Sequence, residues 1–519
     1  MPDAISLQPL DRPKGFLAWF DVAVGLGWAM LFVLWANAYL IFTVDDSFYY
    51  LGVARNIAAG YGATFDQIHP TNGFHPLWAP IFAALAMAVQ DTATLMRVAL
   101  VVQVAIVLLS LLAVRRSSHP AAKYAPLVLG VMLLHPYAAK ALFNGQESAL
   151  LYAMMIASAF YAVRACRLQT YGSMALLGVL GGLTCLARLD AVFFLAGLTL
   201  LPLLWPGGAP WPFARRFMSS FIMGAVAVAV TTPYLLWNKL SFGHWEPVSG
   251  AVKASFFPVQ FSMTVRVAIA AVCLAILAAT ALAARRPGAR TVRLLLPAIF
   301  YALLQTIYYW TGEGRPITNI WYYIPHMVVM QLAASAAMER RWGGRAAIYA
   351  ASALFALTCL AGWAYRLQPE SYAAYLANRD MGQWVSKNTP PDALLGGWDC
   401  GIVGTHCGRR FMPLDGLINS WEYKINVLDK HRVLDYITHD QPVDYLAQYV
   451  RGLRSKTLEQ ACLVKSIDMS QWRVNYYSVF NSQSFLLSED PKTILFVVSP
   501  PGESNLPTLR QVMQNVMAQ

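Results

Sequence analysis

The hydrophobic pattern of the chain is a series of long apolar runs separated by short polar stretches. The runs lie near 16–43, 92–114, 121–137, 147–165, 171–187, 190–205, 217–238, 263–284, 291–310, 320–338 and 346–365. Most approach the roughly 17–25 residues that an α-helix needs to cross a bilayer. The pattern therefore predicts a polytopic α-helical membrane region with about eleven transmembrane helices. A further run, 74–90, is short and carries Pro and His at its start, so it reads as a surface or re-entrant segment. Past residue 366 the pattern changes. A helix is expected over 373–388, stopped before Pro390 and Pro391, and ALLGGW (393–398) and TILFVVS (493–499) read as strands. The expected organisation is a membrane domain over 1–366 and a soluble α/β domain over 367–519.

Composition narrows the class. Of 519 residues, 57% are hydrophobic and 13% charged, against about 25% charged in soluble proteins. This excludes a disordered chain, a coiled coil and an ordinary cytosolic enzyme. The net charge of +12 raises the question of nucleic acid, and its distribution answers it. Through residue 366 there are 25 Lys and Arg against 12 Asp and Glu; beyond it, 14 against 15. Sixteen of the 25 cations fall near the N-terminus and in the loops around 115–123, 164–167, 215–216, 285–293 and 340–345, all on one side if 74–90 is no span. The positive-inside rule makes that side cytoplasmic. The N-terminus is then inside and the C-terminal domain outside, in the periplasm or cell exterior of a bacterial inner-membrane protein. Nucleic acid is excluded as a partner. The first apolar run is too long for a cleavable signal and is expected to be the first span. Seven cysteines make neither a disulfide scaffold nor a CxxC site, though Cys400–Cys407 is a plausible bridge in the tail.

With this topology, eight of the twelve acids of the membrane region face outward: Asp45, Asp46, Asp66, Asp91, Glu147, Asp190, Glu246 and Glu313. A carboxylate at the end of an apolar run is costly unless it is paired or functional. The first outer loop, residues 44–78, is the densest. Asp45 and Asp46 open an expected amphipathic juxtamembrane helix that ends before Gly60 and Gly62. The pair either caps that helix or supplies a general base at the lipid–water boundary. His69, Asn72, His75 and Trp78 add a polar and aromatic platform. Glu147 opens the next helix, either as a first-turn acid or as a second carboxylate for a metal or sugar hydroxyl. Arg188 and Asp190 interrupt an apolar hairpin, either as a structural pair or with Arg188 as a phosphate ligand. His244, Lys253, Glu313, Arg315 and Tyr322 lie in two further outer loops. Lys253 and Arg315 are candidate cations for a lipid-linked phosphate, and the aromatics otherwise read as an interfacial belt.

Asp45–Asp46 with Tyr49–Tyr50, then TNGFHPLW (71–78), then Gly145–Glu147–Ser148, is an ordered set that resembles the GT-C superfamily of integral-membrane glycosyltransferases. It also resembles arabinofuranosyltransferases of the terminal β-capping type, whose corresponding loop is closer to EGYTNFLW. The resemblance implies a polyprenyl-phosphate-linked sugar donor and an acceptor outside the cell, whether glycan, lipid-linked glycan or protein. It implies a first-loop acid near the acceptor and, in several members, a divalent cation (Mg, Mn or Ca), for which Asp46 and Glu147 are the matching ligands. Expulsion of a phosphate needs cations for the leaving group and a base for the acceptor hydroxyl. The expected assignment is Asp45 as base, Asp46 or Glu147 as orienting residue, and Arg188, Lys253 and Arg315 around the phosphate. The rival class is a polytopic transporter or flippase. It predicts internal repeats and mid-membrane broken helices, whereas the unusual residues here gather at one face.

Overall fold

The computed structural model describes residues 18–205, 212–254, 262–286, 289–311, 319–339, 345–368, 371–430, 432–433, 436–450, 474–478 and 492–498. Each of the eleven apolar runs carries helix. The first holds α1 (Phe20–Leu34) and a short α2 (Ala38–Phe42). The outer loop begins with α3 (Asp45–Ala58) and leads into α4 (Trp78–Ala88), which at 11 residues is too short to cross a bilayer. There follow α5 (Thr92–Arg115), α6 (Ala125–Leu133), α7 (Pro136–Leu142), α8 (Ser148–Leu168), α9 (Tyr171–Ala187), α10 (Val192–Leu204) and α11 (Phe213–Phe242). Next come a short α12 (Val248–Ala254), then α13 (Met263–Ala284), α14 (Arg290–Thr311), α15 (Ile324–Glu339) and α16 (Arg345–Arg366).

Five of these, α5, α8, α11, α13 and α14, are long and apolar enough to span alone. The 121–137 run departs from a simple span: α6 and α7 meet at an angle of 109°. Pro136 causes the break, because a proline forces the preceding residue out of the helical region, and His135 is extended there. α8 is largely enclosed by its neighbours, while α11 and α13 expose most of their apolar surface, including Leu240, Val228 and Val272. In water such faces would aggregate; against lipid tails they cost nothing.

The helix ends separate by charge. At one end Arg115 pairs with Asp21 and donates to the Ala18 carbonyl at 2.6 Å, tying the start of α1 to the end of α5. Arg293 donates to the carbonyls of Ala284 and Arg286 at 2.9 and 2.7 Å, and its guanidinium lies 4.6 Å from the Trp205 ring. Arg216 donates to the Trp205 carbonyl at 3.2 Å. Arg115, Arg216 and Arg293, three of the arginines counted in the sequence as facing one side, thus hold short connections together. The opposite end carries α3, α12 and the residues beyond 371.

Those C-terminal residues form α17 (Ala373–Asn388), β1 (Leu394–Gly397), α18 (Gly401–His406), β2 (Arg410–Pro413), β3 (Tyr445–Val450), β4 (Val474–Ser478) and β5 (Lys492–Val498). The sheet runs β2-β1-β3-β5-β4, parallel across β2, β1 and β3 and antiparallel at β5 and β4. This layer sits on the α3 end of the helices. Arg55 and Thr92 both donate to the Thr405 carbonyl, at 3.4 and 3.1 Å. Gly73 abuts the loop after β2 so closely that a Cβ there would lie 2.2 Å from the Leu417 carbonyl oxygen.

Candidate functional site

Helix α3 divides the Asp–Asp pair between two faces. Residues four apart share a helical face, so Asp45 goes with Tyr49 and Asp46 with Tyr50. Asp45 meets the start of α18, where its two oxygens accept the N–H groups of Gly401 and Ile402 at 2.8 and 2.9 Å. The first N–H groups of a helix have no acceptor within it, and here Asp45 of α3 supplies the accepting oxygens. Tyr49 completes the contact: its hydroxyl donates to Asp415 and accepts from the Cys400 N–H at 3.1 Å.

Asp46 and Tyr50 face a cavity. Its wall also includes His75, Gln146, Glu147, Arg188, Lys253 and Tyr322, and Leu417 and Ile418 of the C-terminal region roof it. Glu147 is brought there by the 144–147 turn. Gly145 has φ +82°, and a Cβ would lie 2.9 Å from the Met96 sulfur. Its carbonyl accepts from the Trp78 indole at 3.0 Å. Glu147 Oε2 accepts the Tyr50 hydroxyl at 2.9 Å; Oε1 lies 3.6 Å from Arg188 and 3.7 Å from His75 Nε2. Burial lowers the His75 pKa, so its ring is neutral near pH 7 although Glu147 works the other way.

Arg188 follows α9 in an extended conformation, with φ −158°. Its guanidinium is buried and held by Asp190 at 3.0 Å and by the Trp321 carbonyl at 3.4 Å, and it lies 4.1 Å from the Tyr322 ring centre. Asp190 is satisfied by Tyr301, Gln305 and Tyr309 at 2.6, 3.0 and 3.2 Å, so it braces Arg188. Lys253, on α12, reaches Asp46 Oδ2 and the Tyr322 hydroxyl, each at 3.3 Å.

Six of the sequence candidates therefore converge on one cavity: Asp46, His75, Glu147, Arg188, Lys253 and Tyr322. Asp45 sits outside it. His69 is bonded between Asp66 and Tyr436 at 2.6 and 2.7 Å. Asn72 donates to Asn238 and to the Glu246 carbonyl and accepts the Val248 N–H at 3.0 Å, a clasp that fixes the start of α12 and so places Lys253. His244 stacks on Trp421 at 3.7 Å. Glu313 and Arg315 lie outside the described residues, as does Cys462. The bridge expected between Cys400 and Cys407 is not made: both are buried free thiols, and Cys407 points at the Gly404 carbonyl at 3.2 Å. Gln146, Leu417 and Ile418 were not singled out from sequence, whereas Tyr50 was marked in the ordered set with Tyr49 and stands four residues from Asp46.

Asp46 and Glu147 each already face a protein cation, Lys253 and Arg188, and among the described residues no group of three His, Cys, Asp or Glu is placed to hold a metal ion.

The docking contact titrates. Withdrawal from water raises Asp45 to about 7; the two N–H groups oppose this, and Asp399 and Asp46 add to it. Burial likewise raises Asp415 to about 6 against the Tyr49 hydrogen bond. An acid whose pKa is higher when docked binds protons on docking. Its support is full below the ordinary value of 3.8 and is lost as pH rises through 6 and 7. Hydrogen-exchange protection of the Gly401 and Ile402 amides is expected to fall about a hundredfold between pH 5.5 and 8, most of it through Asp45. Asp45→Ala is expected to cost about 1–3 kcal/mol of docking through the stranded N–H groups and to flatten that pH dependence. Protection that is flat with pH in the wild type would contradict this.

The comparisons place the fold. The structure of ArnT from Cupriavidus metallidurans bound to undecaprenyl phosphate superposes with a TM-score of 0.53 at 14% identity, over 92% of this chain and 99% of that one. ArnT in the apo state gives 0.51 at 14% identity, over 91% and 98%. The archaeal oligosaccharyltransferase AglB from Archaeoglobus fulgidus, in complex with an inhibitory peptide and a dolichol-phosphate, gives 0.46 at 12% identity, over 94% and 77%. The fold assignment rests on the ArnT pair: this is a polytopic helical membrane protein of the GT-C fold. A family model described as a domain of unknown function, DUF8728, matches residues 364–493. No curated protein matches the chain by sequence.

Proposed function

We propose that the protein is a glycosyltransferase that moves a sugar from a polyprenyl-phosphate donor to a hydroxyl acceptor at the outer membrane face. The observation that carries this reading is the meeting of Arg188 and Lys253 at the Tyr322 ring, inside the cavity that holds Asp46. Two cations suit a lipid phosphate, and a carboxylate within the same cavity suits the acceptor hydroxyl. ArnT, which shares the fold, has been seen with undecaprenyl phosphate bound.

In this mechanism Asp46 takes the proton of the acceptor hydroxyl as its oxygen attacks the anomeric carbon. The bond from that carbon to the phosphate oxygen breaks, and polyprenyl phosphate leaves against Arg188 and Lys253. In-line displacement inverts the anomeric centre. Glu147, fixed by Tyr50, and neutral His75 orient sugar hydroxyls. No step runs through a metal ion. The base assignment moves from Asp45 to Asp46 because both Asp45 oxygens are engaged by α18. The clustering of arginines at the far end supports a cytoplasmic N-terminus and a periplasmic C-terminal domain in a bacterial inner membrane.

The test is the purified protein in detergent with a panel of radiolabelled polyprenyl-phosphate sugars. Arabinofuranosyl comes first, on the resemblance noted above, with crude envelope as acceptor. The expected result is label in the envelope fraction together with free polyprenyl phosphate. Donor that binds but is never cleaved, and is instead moved across proteoliposomes, would overturn the reading in favour of a transporter.

A further inference from the structure

The two cavity cations are held in different ways. Arg188 is fixed: its side chain is 4% exposed, and Asp190, Glu147, the Trp321 carbonyl and the Tyr322 ring surround it. Lys253 is not. Its side chain is 38% exposed and that of Asp46 30%. It stands near the end of a seven-residue helix, and its two polar contacts are both at 3.3 Å. A half-exposed ion pair of this kind is worth about 0–1 kcal/mol. The ammonium is a compact charge on a flexible four-carbon stem and readily changes partner. Both cations also approach one ring, Arg188 at 4.1 Å and Lys253 at 5.9 Å from the Tyr322 centre. An anion between them relieves their mutual repulsion.

We propose that Lys253 is a donor-operated switch on Asp46. Without donor, its ammonium neutralises the Asp46 carboxylate and occupies the position from which that group would accept a proton. When the lipid phosphate arrives beside Arg188, Lys253 transfers to the phosphate oxygens and leaves Asp46 free as a base. The donor must then bind before the acceptor hydroxyl is activated. The inference rests on the polyprenyl-phosphate reading above and adds to it an order of events and a positioning residue that enforces it.

The experiment needs no knowledge of the sugar or the acceptor. The full-length protein in detergent is treated with a water-soluble carbodiimide, which joins a carboxylate to an amine already in contact, with glycine methyl ester present as a competing amine. Mass spectrometry then measures the Asp46–Lys253 isopeptide and the Asp46 glycine adduct. Retention of labelled undecaprenyl phosphate is measured in parallel. In the lipid-free protein the isopeptide is expected to dominate. Undecaprenyl phosphate at about ten times its Kd leaves roughly a tenth of the protein free, so the isopeptide should fall about tenfold and the glycine adduct should rise in its place. Inorganic phosphate at the same concentration should change neither by more than about twofold, since it lacks the chain-binding part of the affinity.

Lipid retained with an unchanged isopeptide yield would overturn the switch and leave the proposed function standing. No isopeptide in either state would overturn it too, as would an equal response to inorganic phosphate. Failure of the wild-type protein to retain the lipid would overturn the switch together with the donor reading beneath it. Lys253→Gln should abolish the isopeptide and raise the glycine adduct without lipid; a low adduct in that variant would show that Lys253 does not shield Asp46.

Discussion

Asp46→Asn is expected to lower the rate of sugar transfer about 10³-fold while the protein still folds and still retains undecaprenyl phosphate. General-base catalysis contributes about 10²–10⁴-fold, and an amide of the same shape cannot accept the proton. The side chain is 30% exposed to the cavity, and its ion pair with Lys253 is weak, so stability should change little. Asp45→Asn is the matched control. It disturbs the cap on α18, where an NH₂ group would face one of two N–H donors, and it should loosen docking more than it slows chemistry. The informative measurement is kcat for both variants, with protection of the Gly401 amide measured alongside. A loss in Asp45→Asn as deep as in Asp46→Asn, with docking intact, would return the base to Asp45.

Arg188→Gln should be the most damaging single change in the cavity. Arg188 faces two carboxylates, Asp190 and Glu147, and is itself 4% exposed. Removing one member of such a network leaves buried charge uncompensated and typically costs about 3–5 kcal/mol. The variant is therefore expected to lose thermal stability in detergent and donor binding together. Arg188→Lys separates the two effects. It restores the charge but not the planar fork that serves Asp190, the Trp321 carbonyl and the Tyr322 ring at once. Stability should recover in large part while KM for the donor stays raised about tenfold or more, as expected from the loss of a charge-assisted contact of roughly 1.5–3 kcal/mol. Full recovery of both in Arg188→Lys would mean that only the charge matters and that the phosphate is held elsewhere.

The sequence made these helices legible because their signal is local: each apolar run carries helix, although among the described residues only five of the helices are long and apolar enough to span alone. The bend at Pro136 was readable in principle, from a proline in the 121–137 run, but the run was counted as one span. The division of labour within Asp45–Asp46 was not readable. Adjacent helical residues point about 100° apart, and which one meets the cavity depends on α18, more than 350 positions away. The same distance hid Leu417 and Ile418, whose place in the cavity roof comes only from docking. Tyr322 looked like a member of an interfacial belt, because composition cannot separate an aromatic that faces headgroups from one that carries two cations. Asn72 and His69 drew attention as polar residues in a dense loop. The first proves to place Lys253 at a distance, and the second to join the loop to Tyr436.

Gly73 gives the TNGFHPLW segment a meaning that catalysis alone does not. It sits where the C-terminal layer rests on the helices, with no room for a side chain against the Leu417 carbonyl. Gly73 also lines the cavity, so loss of activity in a saturation library would not by itself separate lost chemistry from lost seating. The seating adds a constraint of co-inheritance. A related chain with a larger residue at this place must seat its outer layer differently or do without it, so that one codon in the first loop reports on a domain encoded more than three hundred residues later.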